Sequence, residues 1–238
     1  MARVNVKNDL NLLTAQGTII KQDITPDGRV NIVIATDGGR PRQKTDKIRF
    51  ICFDSDMLRP FTIKDRVTVL GHIQPLGSRT SAENWDTRTY TQEYIADSVS
   101  LSERDAAHYF SMPTEDAIVG GHAPDENRTC HCGKFVSVKQ FKPDKNNSPV
   151  VGITIEIISA ADTAMGATMK HSNKCNFVCF GRQAETALKI AEKAAKGEEC
   201  RVAITGSIRT DSRSGKNGAP IFLQNIVARD IYSPSVPS

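Results

Sequence analysis

Three patches of this chain recur in the same order further along it. Lys47-Ile48-Arg49-Phe50-Ile51-Cys52-Phe53 returns as Lys174-Cys175-Asn176-Phe177-Val178-Cys179-Phe180, and Arg66-Val67-Thr68-Val69-Leu70-Gly71-His72-Ile73 as Arg201-Val202-Ala203-Ile204-Thr205-Gly206-Ser207-Ile208. Upstream of both, Gly17-Thr18-Ile19 lines up with Gly133-Lys134-Phe135. One matching heptamer arises by chance. Three in order point to a single unit used twice. A length of 238 residues suits two units of about a hundred residues each. The expected division is 1–103 for the first and 129–233 for the second, with a breaker-rich linker at 104–128 and a short tail at 234–238.

Each unit reads as short strands punctuated by turns. In the first, strands are expected at Thr14–Gln22, Arg29–Thr36, Lys47–Phe53, Arg66–Ile73 and Thr89–Leu101. Thr25-Pro26-Asp27-Gly28 supplies a turn, because proline presets one dihedral and glycine permits positive φ. Gly17, inside a strand, suggests a bulge or sharp coil. The second unit repeats the order at Thr129–Phe141, Val150–Ser159, Lys174–Phe180, Arg201–Arg209 and Pro220–Ile231. Between its third and fourth strands lies the one clear helix, Arg182–Lys196. There Ala184, Ala187, Leu188, Ala191 and Ala194 or Ala195 follow the i, i+3, i+4 rule, and Gly197 stands where a helix end favours positive φ. Asp54–Asp65 in the first unit is short and carries Pro60, so its helix is expected to be largely lost. Five strands with a helix after the third is the order of a small Greek-key barrel, the OB-fold. The fold class expected is therefore all-β, two tandem OB-fold barrels, with one short helix per full copy.

Several segments also resemble the bacterial, plasmid and phage single-stranded DNA-binding protein family. Asn176-Phe177-Val178-Cys179-Phe180-Gly181-Arg182-Gln183-Ala184-Glu185 is similar to that family's strand-to-helix segment, and Gly206-Ser207-Ile208-Arg209-Thr210 to its Gly-x-Leu-Arg-Thr strand. Arg88-Thr89-Tyr90-Thr91-Gln92-Glu93-Tyr94-Ile95-Ala96-Asp97 resembles its final strand. The resemblance implies single-stranded DNA as partner, bound with little sequence preference during replication, recombination or transfer. It further implies replication or recombination proteins as partners and a homodimer presenting four barrels, while the buried-thiol pattern of Cys52, Cys179 and Cys200 suits a reducing cytoplasm. Two departures stand out. Lys47 and Lys174 occupy positions where the family commonly has Trp, and Ser233–Ser238 lacks the family's acidic tip, which argues against recruitment through such a tail.

A single strand is held by cations for its phosphates and aromatic faces for its bases. The candidate phosphate contacts are Arg40, Arg42, Lys44, Lys47 and Arg49, then Arg79 and Arg88. Lys139, Lys142 and Lys174 follow in the second unit, with Arg209, Arg213 and Lys216 expected in its long fourth-to-fifth-strand loop. The stacking candidates are Phe53 and Phe180, named by resemblance, with Trp85 and Tyr90. A spacing of three puts Phe50 and Phe53 on opposite faces of a strand, and likewise Phe177 and Phe180, so one of each pair belongs to the core.

Composition narrows the alternatives. A hydrophobic fraction of 39% and a net charge of +4 exclude wholesale disorder and leave affinity to local clusters of Lys and Arg. No apolar run approaches a membrane span, so no membrane partner is expected. Cys52, Cys179 and Cys200 sit in apolar strand patterns, as buried free thiols do. Cys130-His131-Cys132 with His171 and Cys175 could supply zinc ligands, but Cys-x-Cys is tighter than usual zinc spacing. Surface thiols, no metal and no cofactor are expected there. Nucleophile elbows and phosphate-cradling loops do not appear, which disfavours an enzyme. Two other readings fit the same residues: a protein–protein adaptor of a replication or conjugation assembly, and a binder of single-stranded RNA.

Overall fold

A computed structural model describes residues 9–24, 28–36, 46–75, 92–103, 125–162, 168–214 and 220–236. The first five strands are β1 (Leu10–Ile24), β2 (Val30–Thr36), β3 (Asp46–Cys52), β4 (Arg66–Pro75) and β5 (Gln92–Glu103). Each pairs antiparallel with its neighbour around the circuit β1-β2-β3-β5-β4-β1, except β3 and β5, which run parallel through Ile51 and Ile95. The circuit repeats in β6 (Asn127–Gln140), β7 (Val150–Asp162), β8 (Thr168–Phe180), β9 (Arg201–Ser214) and β10 (Pro220–Tyr232). Its parallel contact, Val178 with Val227, falls at the equivalent place. The chain is thus two tandem OB-fold barrels.

Most strands run longer than the apolar alternation suggests. β8 opens at Thr168 rather than Lys174, β1 at Leu10 rather than Thr14, and β6 at Asn127 rather than Thr129. β9 runs on to Ser214, where it pairs Pro220. Backbone pairing continues as two-stranded ribbon past the last residue that feeds the core, and periodicity cannot register that part. β3 ends one residue early, which leaves Phe53 just beyond it.

The strand parities hold. Phe50 and Phe177 are sealed in the two barrel interiors, while Phe53 is 57% and Phe180 40% exposed. The core aromatic partner differs between copies. Phe50 meets Tyr94 on β5 (ring centroids 6.4 Å), whereas Phe177 meets His131 on β6 (4.9 Å). Gly17 and Gly133 do one job twice. A Cβ at either would lie 2.3 Å from the Ala35 carbonyl oxygen or 2.2 Å from that of Glu156, so each first strand coils tightly against its second because the side chain is missing. Register shifts follow at once, at Ile19/Lys21 and Phe135/Ser137.

Helix α1 (Arg182–Ala195) buries Ala184, Ala187 and Ile190, with Leu188 and Ala194 packed beside them. The innermost third row is therefore Ile190 rather than Ala191. Gly197 has φ +86°, as its place after the helix end requires. In the first barrel a 3-10 turn at Ser55–Met57 replaces the helix, started by Asp54 accepting the Asp56 N–H (2.9 Å) and plugged by buried Leu58.

The barrels share one sheet. β1 and β6 pair antiparallel from Leu10–Cys132 to Ala15–Asn127. Two exchanged ion pairs flank that seam: Arg66 of the first barrel reaches Asp125 (2.7 Å), and Arg201 of the second reaches Asp9. Elsewhere, Asp46 accepts from the Thr210 N–H (2.9 Å) and pairs with Arg209 (3.2 Å), while Gln92 binds the backbone of Asn176 at both its N–H and its carbonyl. Burial raises the Asp46 carboxyl above its ordinary range, against the opposing pull of the Thr210 N–H and Arg209.

Candidate nucleic-acid interface

The outward face of β2–β3 collects the surviving candidates of the first barrel. Lys47, Arg49 and Phe53 alternate with the core residues Ile48, Phe50 and Cys52, so they project outward, and all three are exposed. Across the strand pair Lys47 faces Ala35 and Arg49 faces Val33, neither of which carries a charge. Phe53 lies under the Arg29 guanidinium (6.0 Å to the ring centroid), and Arg29 also pairs with Glu93 at 3.6 Å.

The matching face of the second barrel is β7–β8. Lys174 and Phe180 take the places of Lys47 and Phe53 and are exposed. The rest differs. Asn176 replaces Arg49 and accepts a hydrogen bond from the Thr154 hydroxyl (2.7 Å), and Lys174 stands in register opposite Glu156. Phe141, which sequence reasoning passed over, lies across this face with its ring over Gly152, beneath the Lys139 ammonium (5.8 Å). Its signal was Gly152, a bare outward position on a strand whose next outward places carry Thr154 and Glu156. Lys139 and Lys142 are exposed at this edge.

Arg209 and Arg213 lie on β9 rather than in a loop, because the β9–β10 ladder extends past them. Arg209 is tied to Asp46, and Arg213 is described only in its backbone. Arg40, Arg42, Lys44, Arg79, Trp85, Arg88, Tyr90 and Lys216 lie outside the described residues.

Of the zinc candidates, the His171 side chain lies outside the described residues, and the cysteines do not converge. Cys130 and Cys132 face away from the barrel interior, toward Leu12 and Leu10 in register, whereas Cys175 is a core residue beside Phe177. Cys132 and Cys175 are buried and so are not surface thiols. Burial pushes the Cys52, Cys175 and Cys179 thiols up to about 12. Among the described residues there is no group of three His, Cys, Asp or Glu side chains able to hold a metal ion, and no helix is long and apolar enough to cross a membrane.

Two solved structures share this architecture along nearly their whole length. The chain is similar to the wild-type single-stranded DNA binding protein from Thermus aquaticus, with a TM-score of 0.59 at 11% identity over 97% of this chain and 96% of that one. A deletion mutant of the Thermus protein gives 0.60 at 13% identity, over 97% of both chains. No family model and no curated protein matches the sequence itself. At such identity the likeness is one of fold.

Proposed function

We propose that this chain binds single-stranded DNA with little sequence preference, covering exposed strands during replication, recombination or transfer. The observation that carries the reading is the repeated placement of an exposed Lys and, six residues on, an exposed Phe along each barrel's third strand and its C-terminal end: Lys47 with Phe53, Lys174 with Phe180. Cations for phosphates and rings for bases are the two elements that single-strand binding needs. The fold-level likeness to proteins described as single-stranded DNA binding adds support. In this reading the working form is a cytoplasmic homodimer of four barrels, and the chain carries out no catalytic step.

Titration with an oligo-dT of about 35 nucleotides tests it. Retardation at low salt that weakens as salt rises is expected, together with quenching of Trp85 fluorescence. Reversing both charges, K47E with K174E, is expected to weaken binding at least tenfold, since each reversal replaces a cation on a binding face with an anion that repels the strand. Unchanged affinity would favour the adaptor reading. Competition by duplex DNA and by RNA of the same length fixes the preference for unpaired DNA.

A further inference from the structure

Superposing the two faces by register exposes a difference that the duplication hides. In the first barrel Lys47 and Arg49 stand opposite Ala35 and Val33, so two cations project from the sheet with no acid opposite either one. In the second barrel the same four places hold Lys174, Asn176, Glu156 and Thr154. The remaining lysine there is set against a glutamate, which also accepts a hydrogen bond from Ser172, and the asparagine is engaged by the threonine. The centre of that sheet therefore presents one cation and one acid where the first presents two cations. Lys139 and Lys142 belong to its edge.

What the second face gains is a ring platform. Gly152 has no side chain, and a Cβ there would lie 3.0 Å from Cε2 and 3.2 Å from Cζ of Phe141. The Phe141 ring therefore rests directly on the β7 backbone, in a place kept clear for it. Gly152 pairs with half-buried Val178, and Val150 pairs with Phe180, so the rings flank a Val178 step on adjoining strands. Phe141 and Phe180 remain 37% and 40% exposed. The first barrel has Asn31 where the second has Gly152, and among the described residues Phe53 is its one exposed ring, lying under Arg29 as Phe141 lies under Lys139. A ring already seated against backbone loses little further freedom when a base stacks on it.

We propose that the two barrels hold one strand by different forces: the β2–β3 face grips phosphates through Lys47 and Arg49, and the Phe141–Gly152–Phe180 platform stacks bases. This rests on the single-strand reading above and assigns its two components to separate halves of the chain.

The test compares the full chain with K47A/R49A and with F141A/F180A, each titrated with the same dT oligonucleotide from about 50 to about 200 mM salt. K47A/R49A is expected to flatten the slope of log affinity against log salt by about 1.4, since each single-strand phosphate contact contributes about 0.7. F141A/F180A is expected to keep the slope and to weaken binding by one constant factor, roughly thirtyfold or more for two stacked bases. F141L/F180L retains apolar cover without a π face, so an equal loss there separates stacking from any fold defect. A slope change in F141A/F180A as large as in K47A/R49A, or undiminished affinity without the rings, overturns the division. Failure of the unaltered chain to bind dT removes the single-strand reading and this inference together; binding without the division removes the inference alone.

Discussion

Replacing Asn127 with Ala withdraws a side-chain amide that stands in for a peptide group. β6 pairs with β9 as far as Thr129 opposite Gly206, while its other edge pairs with β1 from Cys132 to Asn127. One step beyond that last pair, Asn127 Nδ2 donates to the Ile208 carbonyl (2.7 Å) and its Oδ1 accepts the Ile208 N–H (2.8 Å). The ladder is thereby carried one rung further by a side chain. Ile208 is 1% exposed, so water does not readily take over. Each buried polar group left unpaired costs about 1–3 kcal/mol, and water entering the vacated space recovers part of it, giving about 2–4 kcal/mol for the pair. If the chain melts as one unit of this size, the midpoint falls by about 5–15 °C in a circular-dichroism melt. Asn127→Asp sharpens the test. Its carboxylate still accepts from Ile208 N–H but opposes the Ile208 carbonyl, whereas its protonated form can donate there. The folded-state pKa of that carboxyl is then raised above the unfolded value of about 3.9, so stability is fullest below that value and is lost as pH rises through the folded pKa. Loss of less than about 0.5 kcal/mol in Asn127→Ala would refute the argument, because that is what an ordinary surface change costs.

Two further predictions concern the core. Burial holds His131 down to about 3, with both ring nitrogens lacking a hydrogen-bond partner, so folding keeps the ring neutral. Because this folded pKa lies below the unfolded value of about 6.5, its contribution is whole above about pH 6.5 and falls on acidification toward pH 3, by about 1.4 kcal/mol per pH unit. Urea midpoints of His131→Leu are expected to lose that component of the acid slope, and an unchanged slope would exclude it. Gly17→Ala and Gly133→Ala push a Cβ to 2.3 and 2.2 Å from backbone oxygens and should each cost about 2–3 kcal/mol. Gly152→Ala meets a movable ring at 3.0 Å and should cost under about 1 kcal/mol, so equal urea midpoints for the three would contradict the close-approach account.

The duplicated barrel was legible because its signals are local and repeated. Strand parity put one Phe of each pair inside, the resemblance chose Phe53 and Phe180 as the outward ones, and Gly17 with Gly133 marked the coil of each first strand. The loss of the first helix followed from Pro60. The joining of the barrels was not legible, since Arg66 with Asp125 and Arg201 with Asp9 meet across the β1–β6 seam rather than along the sequence. A signal for it existed nonetheless. Asp9-Leu10-Asn11 and Asp125-Glu126-Asn127 each precede the strand glycine by the same interval, a fourth copy of the repeat. Asn11 pairs with the backbone of Ile73 (2.8 and 3.0 Å) as Asn127 does with that of Ile208. For the interface, sequence offered cations and rings without the residues opposite them. Lys47 and Lys174 look alike until Ala35 and Glu156 are put across from them.

That last comparison explains how a duplicated chain can diverge without losing its fold. The positions that keep the barrels closed and joined come in matched pairs: Gly17 and Gly133, Asn11 and Asn127, Arg66 and Arg201, Asp9 and Asp125. Each is tied to buried backbone or to a partner in the opposite barrel, so a change in one copy cannot be offset by the other. Among the described residues, the outward side chains of Arg49, Asn176 and Asn31 carry no such tie to the opposite barrel, although the backbone of Asn176 does. Arg49 can become Asn176 and Asn31 can become Gly152 at small cost, because an outward side chain on a solvated face contributes little to stability. Symmetry is therefore retained where the two halves depend on one another, and lost on the faces turned outward, where a bound strand would discriminate between them.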